Sequence, residues 1–400
     1  MDIKITPTRL HGHVEIPSSK SYSHRAVIAA SLAQGTSVIS GVSASADIDV
    51  TCGCMTSLGA RIDKNGSVYT VTGIGAPARQ AHLDCGESGS TLRFLIPVAA
   101  ALGTASLFDG RGKLPSRPIT PYIRDMGKKG ISFDRDGGLP LRMEGKLASG
   151  LYELEGDISS QFITGLMFAL PLAEGDSRIR LTSPLQSKPY ADMTADILRK
   201  FGIVIGESGD DYVISGGQTY QAHDYAVEGD YSQAAFYYVA NALGCDIHMG
   251  NLSEHTVQGD SVIRELARNR DGFTVDVGDI PDLVPVLTVL ASFCKGTTRI
   301  VNAARLRIKE SDRLVSAADM INSLGGHALI EDDSLVISHT DRFRGGEVDS
   351  YNDHRIVMSA AVASVYSDAP VIIHGAEAVS KSYPGFFDDL RALGADIQIL

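Results

Sequence analysis

Short turn segments of this chain concentrate cations and hydroxyls at recurring places. They are Ser18-Ser19-Lys20-Ser21 with Arg25; Gly89-Ser90 with Arg93; the stretch that carries Arg111, Lys113 and Arg117; Ser159-Ser160-Gln161; Ser187-Lys188-Pro189-Tyr190; the charge run Arg307-Ile308-Lys309-Glu310-Ser311-Asp312-Arg313; Arg355 after Asn352-Asp353-His354; and Lys381-Ser382-Tyr383-Pro384. Guanidinium, ammonium and hydroxyl donors in this mixture suit phosphate and carboxylate groups. The carboxylates of Asp282 and Glu310, at turns of the same kind, suit general acid or base work. Any one segment alone reads as a helix cap or a solvated face. Their recurrence at equivalent turns of repeated units argues instead that they converge on a common cleft.

Other chemistries lack their signatures. No Gly-x-x-x-x-Gly-Lys-Ser/Thr loop is present, and Gly73-x-Gly75-x-x-Ala78 contains Pro77 and no following helix, so it reads as a turn. Gly86-Glu87-Ser88-Gly89 has the wrong spacing for a nucleophile elbow. His11-x-His13 reads as an exposed edge pair, and Cys52-x-Cys54 has no second pair at zinc spacing.

The elements that position these turns come from an internal repeat. A helix ending in a small-residue turn, a strand, a turn and a second strand recur. They run over Asp47 to Thr72 with an Asn65-Gly66 hairpin turn, from Thr120 through Ile131-Ser132-Phe133 to Asp136-Gly137-Gly138, from Ile197 through Ile203-Val204-Ile205 to Ile214, weakly from Val262 to Val275, from Met320 to Ile337, and from Leu390 to Ile399. The glycines closing these helices fit left-handed caps. A second, all-round apolar helix recurs at Arg25 to Ala33, Thr91 to Leu102, Gln161 to Leu172, Gln233 to Leu243, Leu283 to Phe293 and Arg355 to Val365. Its composition predicts burial, and the Ser, Asp and Asn before it predict N-caps, whose exposed N–H groups also attract anions. A spacing of about 70 residues makes six copies of one α/β unit the simplest account, arranged as two three-unit domains.

Composition bounds the function. There are 48 acidic against 36 basic residues, for a net charge of −12, which speaks against coating nucleic acid or an anionic membrane. Trp is absent and aromatics are 6%, so a base-stacking platform is not expected. The five scattered cysteines do not suggest a disulfide framework. The start lacks a signal-peptide core, and the longest low-polarity run, Phe94 to Phe108, is shorter than a bilayer span. A reduced, cytoplasmic, soluble protein is expected.

Taken in order, these segments resemble the EPSP synthase family of enolpyruvyl transferases. The matching stretches are Ser19-Lys20-Ser21-Tyr22-Ser23-His24-Arg25, Gly86 to Arg93, Arg117-Pro118, Ser159-Ser160-Gln161, Ser187-Lys188-Pro189-Tyr190, Glu228-Gly229-Asp230, Asp279-Ile280-Pro281-Asp282, Lys309 to Arg313, Asn352-Asp353-His354-Arg355 and Lys381-Ser382-Tyr383-Pro384. The resemblance implies an inside-out, barrel-like α/β fold of two domains, each of three βαβαββ units. One domain would span 17–226; 1–16 with 227–400 would form the other, with crossings near Ile16-Pro17 and Ala226-Val227 and the active site in the cleft between them. It implies transfer of the enolpyruvyl group of phosphoenolpyruvate to the 5-hydroxyl of shikimate 3-phosphate, without metal or organic cofactor, by a monomer that binds neither nucleic acid nor membrane.

It also implies roles by residue. Lys20, Ser21, Arg25, Ser159, Ser160, Gln161, Ser187, Tyr190, Asp282 and Lys309 would bind shikimate 3-phosphate. Lys20, Gly89, Arg117, Gln161, Arg313, Arg355 and Lys381 would bind phosphoenolpyruvate. Asp282, Glu310 and Lys20 would be catalytic, with Glu310 protonating the methylene carbon. Two positions depart from the family pattern: Glu87 stands where many members carry Asn, and Arg305 where some carry a shikimate-contacting Asn. Two rival readings are discriminated by sequence. The transferase acting on UDP-N-acetylglucosamine carries a Cys in the loop facing the donor, and Arg111 to Arg117 has none. A non-enzymatic repeat scaffold would have interchangeable turns, whereas these are unit-specific.

Overall fold

The computed structural model describes residues 1–400. The chain forms two compact units: Ser18–Glu228, and Met1–Pro17 with Gly229–Leu400. Each has its own apolar core.

Within Ser18–Glu228 the repeat is explicit. Strands Gly150–Leu154 and Ser177–Leu181 pair in parallel, the second pairs antiparallel with Asp211–Ile214, and Gly206–Ser208 completes the hairpin. Helices Ser160–Ala169 and Lys188–Lys200 fill the two connections, giving βαβαββ. Gln80–Asp84, Ala105–Asp109, Leu141–Glu144 and Ser132–Phe133 repeat that order. The third sheet borrows its first strand, Tyr225–Ala226, from the far end of the unit to pair with Thr36–Ser40. The other unit holds Thr274–Asp276, Thr297–Val301, Ser334–Ser338 and His327–Glu331 in the same order. A further sheet takes its last strand, Ile3–Thr6, from the N-terminus.

The helices lie inside and the sheets outside. Every residue from Tyr22 to Leu32 is buried in helix Lys20–Leu32, and His354–Ser364 is buried throughout. Strands such as Val68–Thr72 alternate buried and exposed residues, as a sheet with one wet face must. The predicted caps are present: Ser19, Ser88, Ser159, Asp230 and Asp353 each accept a backbone N–H of the helix that follows. Gly59 closes helix Ala46–Leu58 at φ +116°, the left-handed cap its position predicts.

Three expectations need correction. The segment 203–205 is not a strand; the hairpin starts at Gly206, after the helix-closing turn at Gly202. The first apolar helix begins at Lys20, five residues ahead of Arg25, because Ser19 caps it. The weak fourth repeat has no hairpin: Asp246–Gly250 pairs only with His11–Glu15, and the segment at Phe273-Thr274-Val275 opens the next sheet.

One close approach orders the first unit. Helix Ser160–Ala169 passes the 89–102 helix so tightly that a Cβ on Gly165 would lie 2.2 Å from Tyr122 Oη and 2.4 Å from the Arg93 carbonyl. Tyr122 Oη lies 2.8 Å from the carbonyls of both Arg93 and Phe162, its one proton shared between them, and locks that crossing. Gly165→Ala should destabilise the protein by about 3 kcal/mol in denaturant titration, since backbone and a buried phenol must move together.

Candidate active site

In Ser18–Glu228 the site residues stand at the starts of the buried helices. Lys20 opens its helix, and its Nζ pairs with Asp47 Oδ2 at 3.0 Å. Arg25 is 3% exposed. Its Nε donates to Thr194 Oγ1 (2.9 Å), Nη1 to the Ser21 carbonyl (2.8 Å) and Nη2 to the Tyr190 carbonyl (2.8 Å). Burial lowers its guanidinium to about 10, against Tyr190 and Tyr22, so it remains a cation at neutral pH. Ser159 caps the next helix, and Ser160 and Gln161 form its first turn. Gln161 is held at both ends: Oε1 accepts from Arg93 Nη1 (2.6 Å), and Nε2 donates to Ser90 Oγ (2.9 Å). Gly89 lies against this group, and a Cβ there would sit 2.6 Å from Arg117 Nη1. Ser187 is buried at φ +58°, a conformation disfavoured for serine, directly before helix Lys188–Lys200, and Tyr190 lies in the first turn. Ser21 and Tyr190 thus cluster through Arg25, and Gly89, Arg117 and Gln161 lie about Arg93. Lys188 pairs with Asp192 (2.6 Å) and Glu207 (3.9 Å).

The other unit gathers its charges around Arg313, which is 1% exposed. Nη1 donates to Asp282 Oδ1 (2.8 Å), Nη2 to Glu310 Oε2 (2.7 Å) and Nε to Asp353 Oδ2 (2.8 Å). One guanidinium therefore fixes three carboxylates. Arg355 Nη2 reaches Asp282 Oδ2 at 3.0 Å, and Lys309 Nζ lies 3.6 Å from Asp282 Oδ1. Burial alone would raise the Asp282 carboxyl; Arg355, Lys309 and Arg313 outweigh it and hold the group well below the usual carboxylate range. Burial lowers Lys309, opposed by Asp282. Lys381 donates to the Asn352 carbonyl at 3.0 Å, beside the cap that orients Arg355.

Three of the partners that hold these side chains, Asp47, Thr194 and Asp353, escaped sequence reasoning as functional residues; the fourth, Arg93, stands in the cation-bearing turn at Gly89-Ser90. Asp47, Arg93 and Thr194 hold Lys20, Gln161 and Arg25; Asp353 both caps the helix carrying Arg355 and pairs with Arg313. Only Asp353 left a local signal, an acid two residues before an arginine at a helix start. Glu87 is exposed and packs its carboxyl on Gly112, where a Cβ would lie 2.7 Å from Glu87 Cδ. The five cysteines are free thiols, and no cluster of three or more His, Cys, Asp or Glu side chains is placed to hold a metal ion. No helix is long and apolar enough to cross a membrane.

Buried helices that present lysine, arginine and hydroxyls at their N-termini, together with acids clamped by arginines, define a class of α/β repeat enzymes acting on small phosphorylated or carboxylated molecules. Comparison with known proteins makes the assignment specific. The family described as EPSP synthase (3-phosphoshikimate 1-carboxyvinyltransferase) matches residues 5–390. Proteins named 3-phosphoshikimate 1-carboxyvinyltransferase from Clostridium kluyveri and Clostridium acetobutylicum are 45% and 43% identical, each over 99% of this chain and 98% of theirs. A solved EPSP synthase from Acinetobacter baumannii superimposes with a TM-score of 0.85 at 25% identity, covering 100% of both chains. The chain belongs to the EPSP synthase family.

Proposed function

We propose that this enzyme uses the residues above to transfer the enolpyruvyl group of phosphoenolpyruvate to the 5-hydroxyl of shikimate 3-phosphate, releasing phosphate on the route to chorismate and the aromatic amino acids. The observation that carries the residue assignment is the Arg313 clamp, which sets Asp282 and Glu310 on the two terminal nitrogens of one buried guanidinium. A base and an acid held at fixed separation are what an addition followed by an elimination needs.

Glu310 gives a proton to the methylene carbon, which leaves the adjacent enol carbon electrophilic. The 5-hydroxyl adds to that carbon while Asp282 receives or orients its proton, forming a tetrahedral ketal. The C–O bond to phosphate then breaks, and a methyl proton returns to a carboxylate as the vinyl double bond re-forms. Lys20, Ser21, Arg25, Ser159, Ser160, Ser187 and Tyr190 are assigned to shikimate 3-phosphate; Asp282 and Lys309 hold its reacting hydroxyl. Gly89, Arg117, Gln161, Arg313, Arg355 and Lys381, with Lys20, are assigned to phosphoenolpyruvate. These cations stabilise the phosphate and carboxylate charge throughout. Both units serve the same turnover, and we take the enzyme to be a cytoplasmic monomer.

The test is phosphate release from phosphoenolpyruvate with shikimate 3-phosphate, run beside UDP-N-acetylglucosamine. Turnover with the first acceptor alone is expected; none with it overturns the reading. Gly89→Ala adds a test of the donor assignment. The new methyl must displace the flexible end of Arg117, so the KM for phosphoenolpyruvate should rise about tenfold or more while the KM for shikimate 3-phosphate stays within about threefold. Equal rises in both would place Gly89 elsewhere.

A further inference from the structure

Helix Tyr231–Ala242 begins among acids, whereas helices Lys20–Leu32 and Gly89–Leu102 begin among hydroxyls and cations. Asp230 caps it, accepting from the N–H groups of Ser232 (2.8 Å) and Gln233 (3.3 Å). Gln258 fastens the following segment to the same end: its Oε1 accepts from Tyr231 N (3.0 Å), and its Nε2 donates to the Gly229 carbonyl (2.8 Å). That tie seats the short turn Gly259–Val262 against the helix start and buries Asp260, which is 4% exposed. Asp260 Oδ2 bonds the Ser232 hydroxyl, and its Oδ1 is buried with no hydrogen-bond partner.

A carboxylate in that setting is expensive to keep ionised, with one hydroxyl on one oxygen and nothing on the other. The charged groups that face it are Asp230 beside its own helix partner, Asp282 from the turn Pro281–Leu283, and Arg355 from helix His354–Ser364. Without Asp260, the acids Asp282, Glu310 and Asp353 already face the cations Arg313, Arg355 and Lys309, with Arg305 beside Lys309. An ionised Asp260 would add a negative charge behind groups assigned to two anionic substrates.

We propose that Asp260 is a positioning residue that acts in its neutral form, hydrogen-bonded to Ser232 and leaving the Asp282–Arg355 pair uncompensated by further negative charge, so that its ionisation sets an upper pH limit on binding phosphoenolpyruvate. The proposal rests on the assignment of Arg355 and Arg313 to that substrate. Burial, then the charge of Asp282, push Asp260 up to about 7, against the Ser232 hydrogen bond and Arg355. The limit therefore falls within the range where an enzyme is ordinarily assayed.

The experiment is steady-state kinetics of the full-length enzyme and its Asp260→Asn variant between about pH 6 and about pH 9. Substrate phosphates titrate identically for both proteins and cancel in the ratio. For the wild type, KM for phosphoenolpyruvate should rise up to about tenfold per pH unit above the transition, with kcat changing less. Asn has the same shape without the charge, so the variant should lose that rise and match the low-pH wild type within about threefold. A variant that keeps the wild-type rise overturns the proposal, as does one that loses more than about tenfold activity at low pH, which would mean the charge is needed. Ser232→Ala removes the hydrogen bond that favours ionisation, so its transition should move to higher pH; no shift, or a downward one, overturns the proposal even where Asp260→Asn fails to fold. The infrared difference spectrum of wild type minus Asp260→Asn follows the protonated-carboxyl band without turnover. A failed reaction assignment and a failed Asp260 proposal are thereby separate results.

Discussion

Arg313→Met should remove measurable turnover and cost about 3–5 kcal/mol of stability, read by denaturant titration at neutral pH. The wild-type side chain is 1% exposed and gives each of its three nitrogens to a different acid. Methionine fills the volume and leaves those acids behind. Asp282 keeps Arg355 and Lys309. Asp353, fully buried, keeps the Ser311 hydroxyl and the helix N–H of Arg355 at hydrogen-bonding distance. Arg313→Lys should recover little, because one ammonium cannot hold three divergent acceptors.

The pH dependence distinguishes a broken charge cluster from a packing defect. Asp353 and Asp282 have lowered folded-state values: burial opposes the shift, and Arg313 and Arg355 lead the groups that impose it. A lowered carboxyl stabilises above its unfolded value, and that stability is lost as the pH falls through the folded one. Without Arg313 the buried Asp353 loses the cation that leads its lowering, and protonation relieves it, whereas Asp282 keeps Arg355 and Lys309. The gap between wild type and Arg313→Met should therefore narrow as the pH drops below about 4. A gap under about 1 kcal/mol, or one independent of pH, would contradict the clamp.

Glu310→Gln should lower kcat by about a hundredfold to ten-thousandfold, with the KM for each substrate within a few-fold of wild type. Glutamine still offers an oxygen to Arg313 Nη2, so the clamp and the fold persist and only the proton is lost. Run in D2O, the wild type should place deuterium in the vinyl methylene of the product, because the carbon is protonated and then deprotonated in each turnover; the variant should do so only at its residual rate. Full activity in Glu310→Gln would remove Glu310 from the acid role.

What could be read along the chain was what rests on local physics. Helix caps are sequence-local hydrogen bonds, so Ser19, Ser88, Ser159, Asp230 and Asp353 announced the helix starts, and glycines such as Gly59 announced their ends. Apolar composition all round the wheel marked the helices that became the core. The six-fold repeat placed the cationic turns, and unit-specific residues at those turns named Lys20, Arg25, Gln161, Asp282, Glu310, Arg313 and Arg355. The unit whose repeat is incomplete was also the one whose hairpin was misread: strand 274–276 has the residues of a hairpin strand, and only its parallel partner Thr297–Val301 shows that it begins a new sheet. Strand propensity carries no information about the partner.

Tertiary structure decided who pairs with whom. Arg313 meets residues 31 and 40 positions away, Arg25 meets Thr194 at a separation of 169, and Gln161 meets Arg93 at 68. Charge and hydrogen-bonding capacity are properties of a residue, whereas burial and partner distance are properties of a packed set, and they set whether a carboxyl is lowered like Asp282 or raised like Asp260. The sequence by itself determined the repeat, the helix starts and the chemical types offered at them; only the fold decided which acids are clamped by arginine and which is left buried beside a serine.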